Sequence, residues 1–106
     1  MNSLERLRAA GVVTPDNRIK SGLSPDEFRL IETMFKEASA DKNLYIAYLA
    51  AVDQKGFSLH RQGNYAEAVG WRRKAVAMDP NSPELLYALG HSLKACAKSM
   101  KHLRYG

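Results

Sequence analysis

The stretch that decides the fold runs Gly56-Phe57-Ser58-Leu59-His60-Arg61-Gln62-Gly63-Asn64-Tyr65-Ala66-Glu67-Ala68-Val69, and continues to Arg73-Lys74-Ala75-Val76-Ala77-Met78-Asp79-Pro80-Asn81. Apolar and small residues recur here at helical spacing on both sides of Gln62-Gly63-Asn64. Glycine just past a helical segment is a stop signal, and the tight turn that follows sends the chain back alongside itself. Pro80 then ends the second segment, because proline cannot extend helical hydrogen bonding. The pattern predicts two antiparallel helices, from about 44 to 61 and from 65 to 78. Ser82 and Pro83 open a third helix as cap and first residue, and it is expected to reach about His102.

The pattern repeats. Thirty-four residues after Gly56 and Leu59 stand Gly90 and Leu93, and Leu86 and Leu89 fill two further apolar positions of the second unit. This resembles a tetratricopeptide repeat over 49–82, with a partial repeat from 83 onward. Gly56, Leu59, Gly63, Tyr65, Ala68, Ala75 and Pro80 fall where that family's pattern places them. Small residues at Gly56, Ala68, Ala75 and Gly90 let paired helices cross closely, with Leu59, Leu86, Leu89 and Leu93 filling the space between them. The chain departs from the pattern at Arg72 and Lys55, where the family carries apolar residues, at Val52, where it carries a larger one, and at Trp71, which sits one place early. About one and a half repeats are visible, whereas stacked repeats need about three to bury a continuous core.

Working outward, residues 2–10 form a short helix that starts at Asn2 or Ser3 and stops at Gly11. The Pro15-Asp16-Asn17 turn chemistry predicts a tiny hairpin or an irregular loop between 11 and 24. Ser24, Pro25 and Glu27 then write a capping box. Phe28, Ile31, Met34, Phe35 and Ala38 form one apolar stripe on a helix reaching about Ser39. The fold class is therefore all-α: a short solenoid of antiparallel helix pairs. Residues 1–43 form an N-terminal helical cap, and 44–106 form the repeat region. The 25–39 helix is expected to pack on the first repeat.

With 106 residues, 45% of them hydrophobic, the chain is long enough for one modest core. No stretch approaches the apolar length of a membrane span, and the N-terminus lacks the apolar core of a signal peptide. One cysteine, Cys96, suits a reducing cytoplasm. The net charge of +5 is uneven. Residues 1–43 hold seven bases and seven acids, and the remainder holds nine bases against Asp53, Glu67, Asp79 and Glu84. A basic second half favours acidic partners.

Chemistry is sparsely written. His60, His91 and His102 are the only histidines, and no CxxC, HExxH or glycine-rich phosphate loop accompanies them. The sequence predicts no catalytic residue, no metal site and no cofactor, and so no enzyme.

The resemblance implies a concave face lined by the first helix of each repeat, and hence an adaptor that binds a peptide or another protein. Superposed on this chain, that face holds Asp53, Gln54, Phe57, His60 and Arg61 in the first unit, and Tyr87, His91 and Lys94 in the second. Phe57 and Tyr87 suit an apolar side chain, while Arg61, His91 and Lys94 suit a carboxylate. Family members that grip the terminal carboxylate of chaperones place asparagine where this chain has Phe57 and His91, which argues against that role. Two alternatives stand beside the adaptor. One is a nucleic-acid-associated protein using Arg72, Arg73 and Lys74 with Trp71; the other is a subunit that self-assembles into a homodimer or larger homo-oligomer through its incomplete repeat ends.

Overall fold

Ser24 opens the best-specified helix. Its hydroxyl accepts from the Glu27 backbone N–H at 3.2 Å, and the Glu27 carboxylate accepts from the Ser24 N–H at 2.9 Å, so two otherwise orphaned donors are satisfied. In this computed structural model, which describes residues 2–105 and the side chains of residues up to 99, the chain forms five helices. They are α1 (Ser3–Ala9), α2 (Pro25–Glu37), α3 (Lys42–Arg61), α4 (Tyr65–Met78) and α5 (Pro83–Tyr105). His102, Lys101 and Arg104 lie outside the described side chains. Contacts divide the chain into two compact units, residues 1–51 and 52–106, with the division inside α3.

In the first unit, Asn2 caps α1 by accepting from the Glu5 N–H at 2.9 Å. The helix ends where Gly11, at φ 77°, lets the Val12 N–H turn back to the Leu7 carbonyl at 3.1 Å. Residues 12–20 make the tiny hairpin. Val13 and Ile19 pair as an isolated antiparallel bridge, and Asn17 supplies the left-handed residue of the turn at φ 65°. Lys20 ties the end of this hairpin to α2 through an ion pair with Glu27 at 2.6 Å. The stripe on α2 buries Ile31 and Met34, leaves Phe28 and Phe35 half-buried, and leaves Ala38 exposed. Tyr48 joins this cluster: its ring stacks on Phe35 at 4.9 Å between centroids, and its hydroxyl donates to Glu32 at 3.0 Å.

Two helix ends differ from the sequence expectation. The helix α2 stops at Glu37, and α3 begins at Lys42 instead of Leu44. Asp41 explains the early start. Its carboxylate accepts from the N–H groups of Asn43 at 2.9 Å and Leu44 at 3.2 Å, and also from the Ser3 hydroxyl. The Ser3 hydrogen bond leads the interactions that hold the Asp41 carboxyl below its ordinary pKa.

In the second unit, α3 ends in a Schellman motif. Gly63, at φ 84°, takes the left-handed position, the Asn64 N–H reaches the Leu59 carbonyl at 2.9 Å, and the Gly63 N–H reaches that of His60 at 3.0 Å. The motif turns the chain back so that α4 crosses α3 at Gly56. A Cβ placed on Gly56 would stand 2.9 Å from Arg72 Cγ and 3.7 Å from the Ala68 carbonyl oxygen. Glycine is required there by close approach, as the repeat pattern predicts. The helices α4 and α5 also pack together. Ser92 is fully buried, and the other buried or half-buried residues of α5 (Leu85, Ala88, Leu89, Ala95, Cys96 and Ser99) lie on the same face.

That packing corrects one expectation. Leu86 and Leu93, expected to fill the space between helices, are 48% and 39% exposed. They lie on a different face of α5 from Ser92, and among the described residues no helix covers them.

Candidate functional site

The residues that sequence reasoning placed on a binding face all lie in the second unit, on α3 and α5. His60 links the two helices. Its Nδ1 is 2.9 Å from the Ser92 hydroxyl, and its ring stacks on His91 with centroids 4.8 Å apart. Tyr65, at the start of α4, meets His60 edge-on at 5.0 Å between centroids. On α5 the row continues from His91 to Tyr87, one turn away, with rings nearly parallel and 6.3 Å apart. The structure therefore brings Tyr65, His60, His91 and Tyr87 into one aromatic row.

Phe57, one turn before Arg61 on α3, is exposed, and the Arg61 guanidinium carbon lies 5.7 Å from its ring centroid. Tyr87 is exposed as well. Lys94 is exposed one turn beyond His91, and Asp53 and Gln54 are half-buried on α3. The arrangement offers flat apolar faces next to cationic groups, a combination able to hold an apolar side chain and a carboxylate side by side.

Electrostatics distinguish the two histidines. Desolvation pushes the pKa of His60 below its ordinary value, helped by the nearby charges of His91 and Arg72. His60 is thus kept as neutral imidazole near pH 7, and its neutral ring shares a hydrogen bond with Ser92 without a charge to desolvate.

Arg72 departs from the sequence expectation, which groups it with Arg73 and Lys74 as a phosphate contact: it is buried, with its stem laid across Gly56. Burial lowers its pKa, opposed by attraction to Asp53, and its Nε is buried without a hydrogen-bond partner. Its departure from the repeat pattern was the available signal. What the pattern did not reveal is that a long stem covers Gly56 as an apolar side chain would. Arg73 and Lys74 are exposed, and Lys74 Nζ lies 5.5 Å from the centroid of the half-buried Trp71 ring. Trp71, Lys74, Glu67 and Gly70 line a shallow open cleft on α4, formed by that helix alone.

Among the described residues no group of three or more His, Cys, Asp or Glu side chains converges as a metal site. Cys96 is a free, half-buried thiol. No helix in the described residues is long and apolar enough to cross a membrane.

Residues 56–95 match the family model described as a TPR repeat. The match spans the second part of α3, all of α4 and the first part of α5, the region in which the aromatic row lies. No curated protein matches the chain, and no solved structure does.

Proposed function

From the match of residues 56–95 to a TPR repeat, we propose that this chain is an interaction adaptor that binds a peptide segment of another protein across α3 and α5. The supporting observation is the row of aromatic and cationic side chains. Phe57 under Arg61 on α3, and His91 against Tyr87 on α5, present exposed faces that the core of the unit does not use. In this reading Phe57 and Tyr87 hold an apolar side chain, while Arg61, His91 and Lys94 favour an acidic neighbour in the same segment. Asp53, Gln54 and His60 border the site. In this reading binding needs no catalytic group or cofactor, and the free Cys96 fits a reducing, cytoplasmic setting.

The test is capture of partners by the tagged chain after nuclease treatment, at about 50 and about 200 mM salt, a range over which phosphate-driven binding collapses. A discrete protein partner retained at the higher salt by the parent, and lost with Phe57→Ala/Tyr87→Ala at unchanged helicity, supports the adaptor. Binding that vanishes with nuclease or salt and ignores the double variant rejects it in favour of the basic surface.

A further inference from the structure

A second surface follows from the repeat register and is distinct from the aromatic row. Val52, Gly56 and Leu59 on α3 stand 34 residues before Leu86, Gly90 and Leu93 on α5. The first three are all buried, with Val52 at 0% and Leu59 at 8% exposure, where α4 crosses at Gly56. The second three are all exposed. A Cβ on Gly90 would meet nothing within 4 Å. With Ala97 the stripe runs at steps of four, three and four residues, a continuous line along one helix face. Its register is that of the seat α4 occupies on α3, and among the described residues no helix covers it.

We propose that this stripe is a docking seat for an acidic amphipathic helix of a partner protein. The shape argument fixes the helix: the equivalent seat on α3 accepts one whose Ala68 lets the backbones approach and whose residue at 72 reaches across the glycine. Charge fixes one edge. After Glu84 the described part of α5 carries Lys94 and Lys98, both exposed and on the same side of the stripe, and no acid. A second copy pairing through its own α5 brings like charges together, whereas a helix edged with glutamate meets the lysines favourably.

The probe is a synthetic helix of about 18 residues, long enough to hold partial helicity alone. Its contact line is alanine and leucine at three- and four-residue spacing, flanked by glutamate; a control carries lysine flanks. Titration calorimetry and amide chemical shifts of the full chain report binding. The glutamate probe is expected to saturate, to shift Leu86, Gly90 and Leu93, and to bind at least about tenfold tighter than the lysine probe. Leu86→Ser/Leu93→Ser, at two exposed positions, is expected to weaken it at least about tenfold without loss of helicity. The proposal fails if neither probe saturates, if both bind equally, or if the leucine variant binds like the parent. It also fails if Phe57→Ala/Tyr87→Ala weakens the probe while the leucine variant does not, which places the probe on the aromatic row. A parent dimer in sedimentation that the leucine variant dissociates assigns the seat to a second copy and overturns the acidic helix.

Discussion

Residues 52–59 and 86–93 stand 34 positions apart and share one pattern, and they live in different surroundings. Each offers an apolar residue, a glycine four positions on and a leucine three beyond that. On α3 the set is buried under α4, and Arg72 lies against Gly56. On α5 the same set faces outward, and the space at Gly90 is open. A repeat pattern therefore specifies a helix face and its shape, but whether that face is core or surface depends on whether a neighbouring helix is present. The physical content of Leu59 and Leu93 differs although their letters and register agree.

The sharpest way to break this comparison is truncation of the two leucines. Leu59→Ala is expected to cost about 2–4 kcal/mol of unfolding free energy, because a buried side chain is removed and a cavity remains. Leu93→Ala is expected to cost under about 1 kcal/mol. Urea titrations of both variants settle the matter. Equal losses mean that Leu93 is core after all, and the contrast between the seats collapses.

The glycines give a change of sign. Gly56→Ala introduces a methyl where Arg72 Cγ stands at 2.9 Å, so the Arg72 stem or α4 has to shift, at about 1–3 kcal/mol for overpacking. Better helix propensity returns about 1 kcal/mol of that. Gly90→Ala gains the propensity and meets nothing, so it is expected to stabilise by about 0.5–1 kcal/mol. Thermal and urea midpoints moving in opposite directions sharpen the comparison, and a shared direction removes it.

The smallest expected effect concerns acid. His60 has a folded pKa below its ordinary 6.5, so the unfolded chain binds more protons than the folded one as pH falls through that range. Its contribution is fully present above about pH 6.5 and is lost as pH drops through the lower folded value. The groups facing His60 are His91 and Ser92 on α5 and Tyr65 and Arg72 on α4, and none is an acid that would welcome the new charge. Stability measured from pH 7 down to about 5.5, above the carboxylate range, is expected to fall. His60→Gln is expected to flatten the slope, and His91→Gln to reduce it. An unchanged slope in His60→Gln removes His60 as its source.

Much of the fold was legible because helix ends are local. Ser24, Pro25 and Glu27 sit within one turn of each other, and Gly63 ends α3 by a conformation that glycine adopts freely. The start of α3 lies two residues before the expected one because Asp41, an equally local cap, opens the helix. The candidate face was legible through the family resemblance alone, which puts Phe57, His60 and Arg61 on one side of a helix. The stacking of His60 on His91 was not, because it depends on how α3 and α5 approach each other. The burial of Arg72 was not either, since hydropathy ranks the residue by its charged end and the structure uses its stem.

The contact between Gly56 and Arg72 also carries an evolutionary consequence. Two positions sixteen apart in sequence share one volume, so neither drifts alone. A lineage that replaces Gly56 by alanine is expected to shorten residue 72 in compensation, and one that retains the arginine is bound to retain the glycine. Among homologous chains, covariation between these two columns is the trace this crossing leaves.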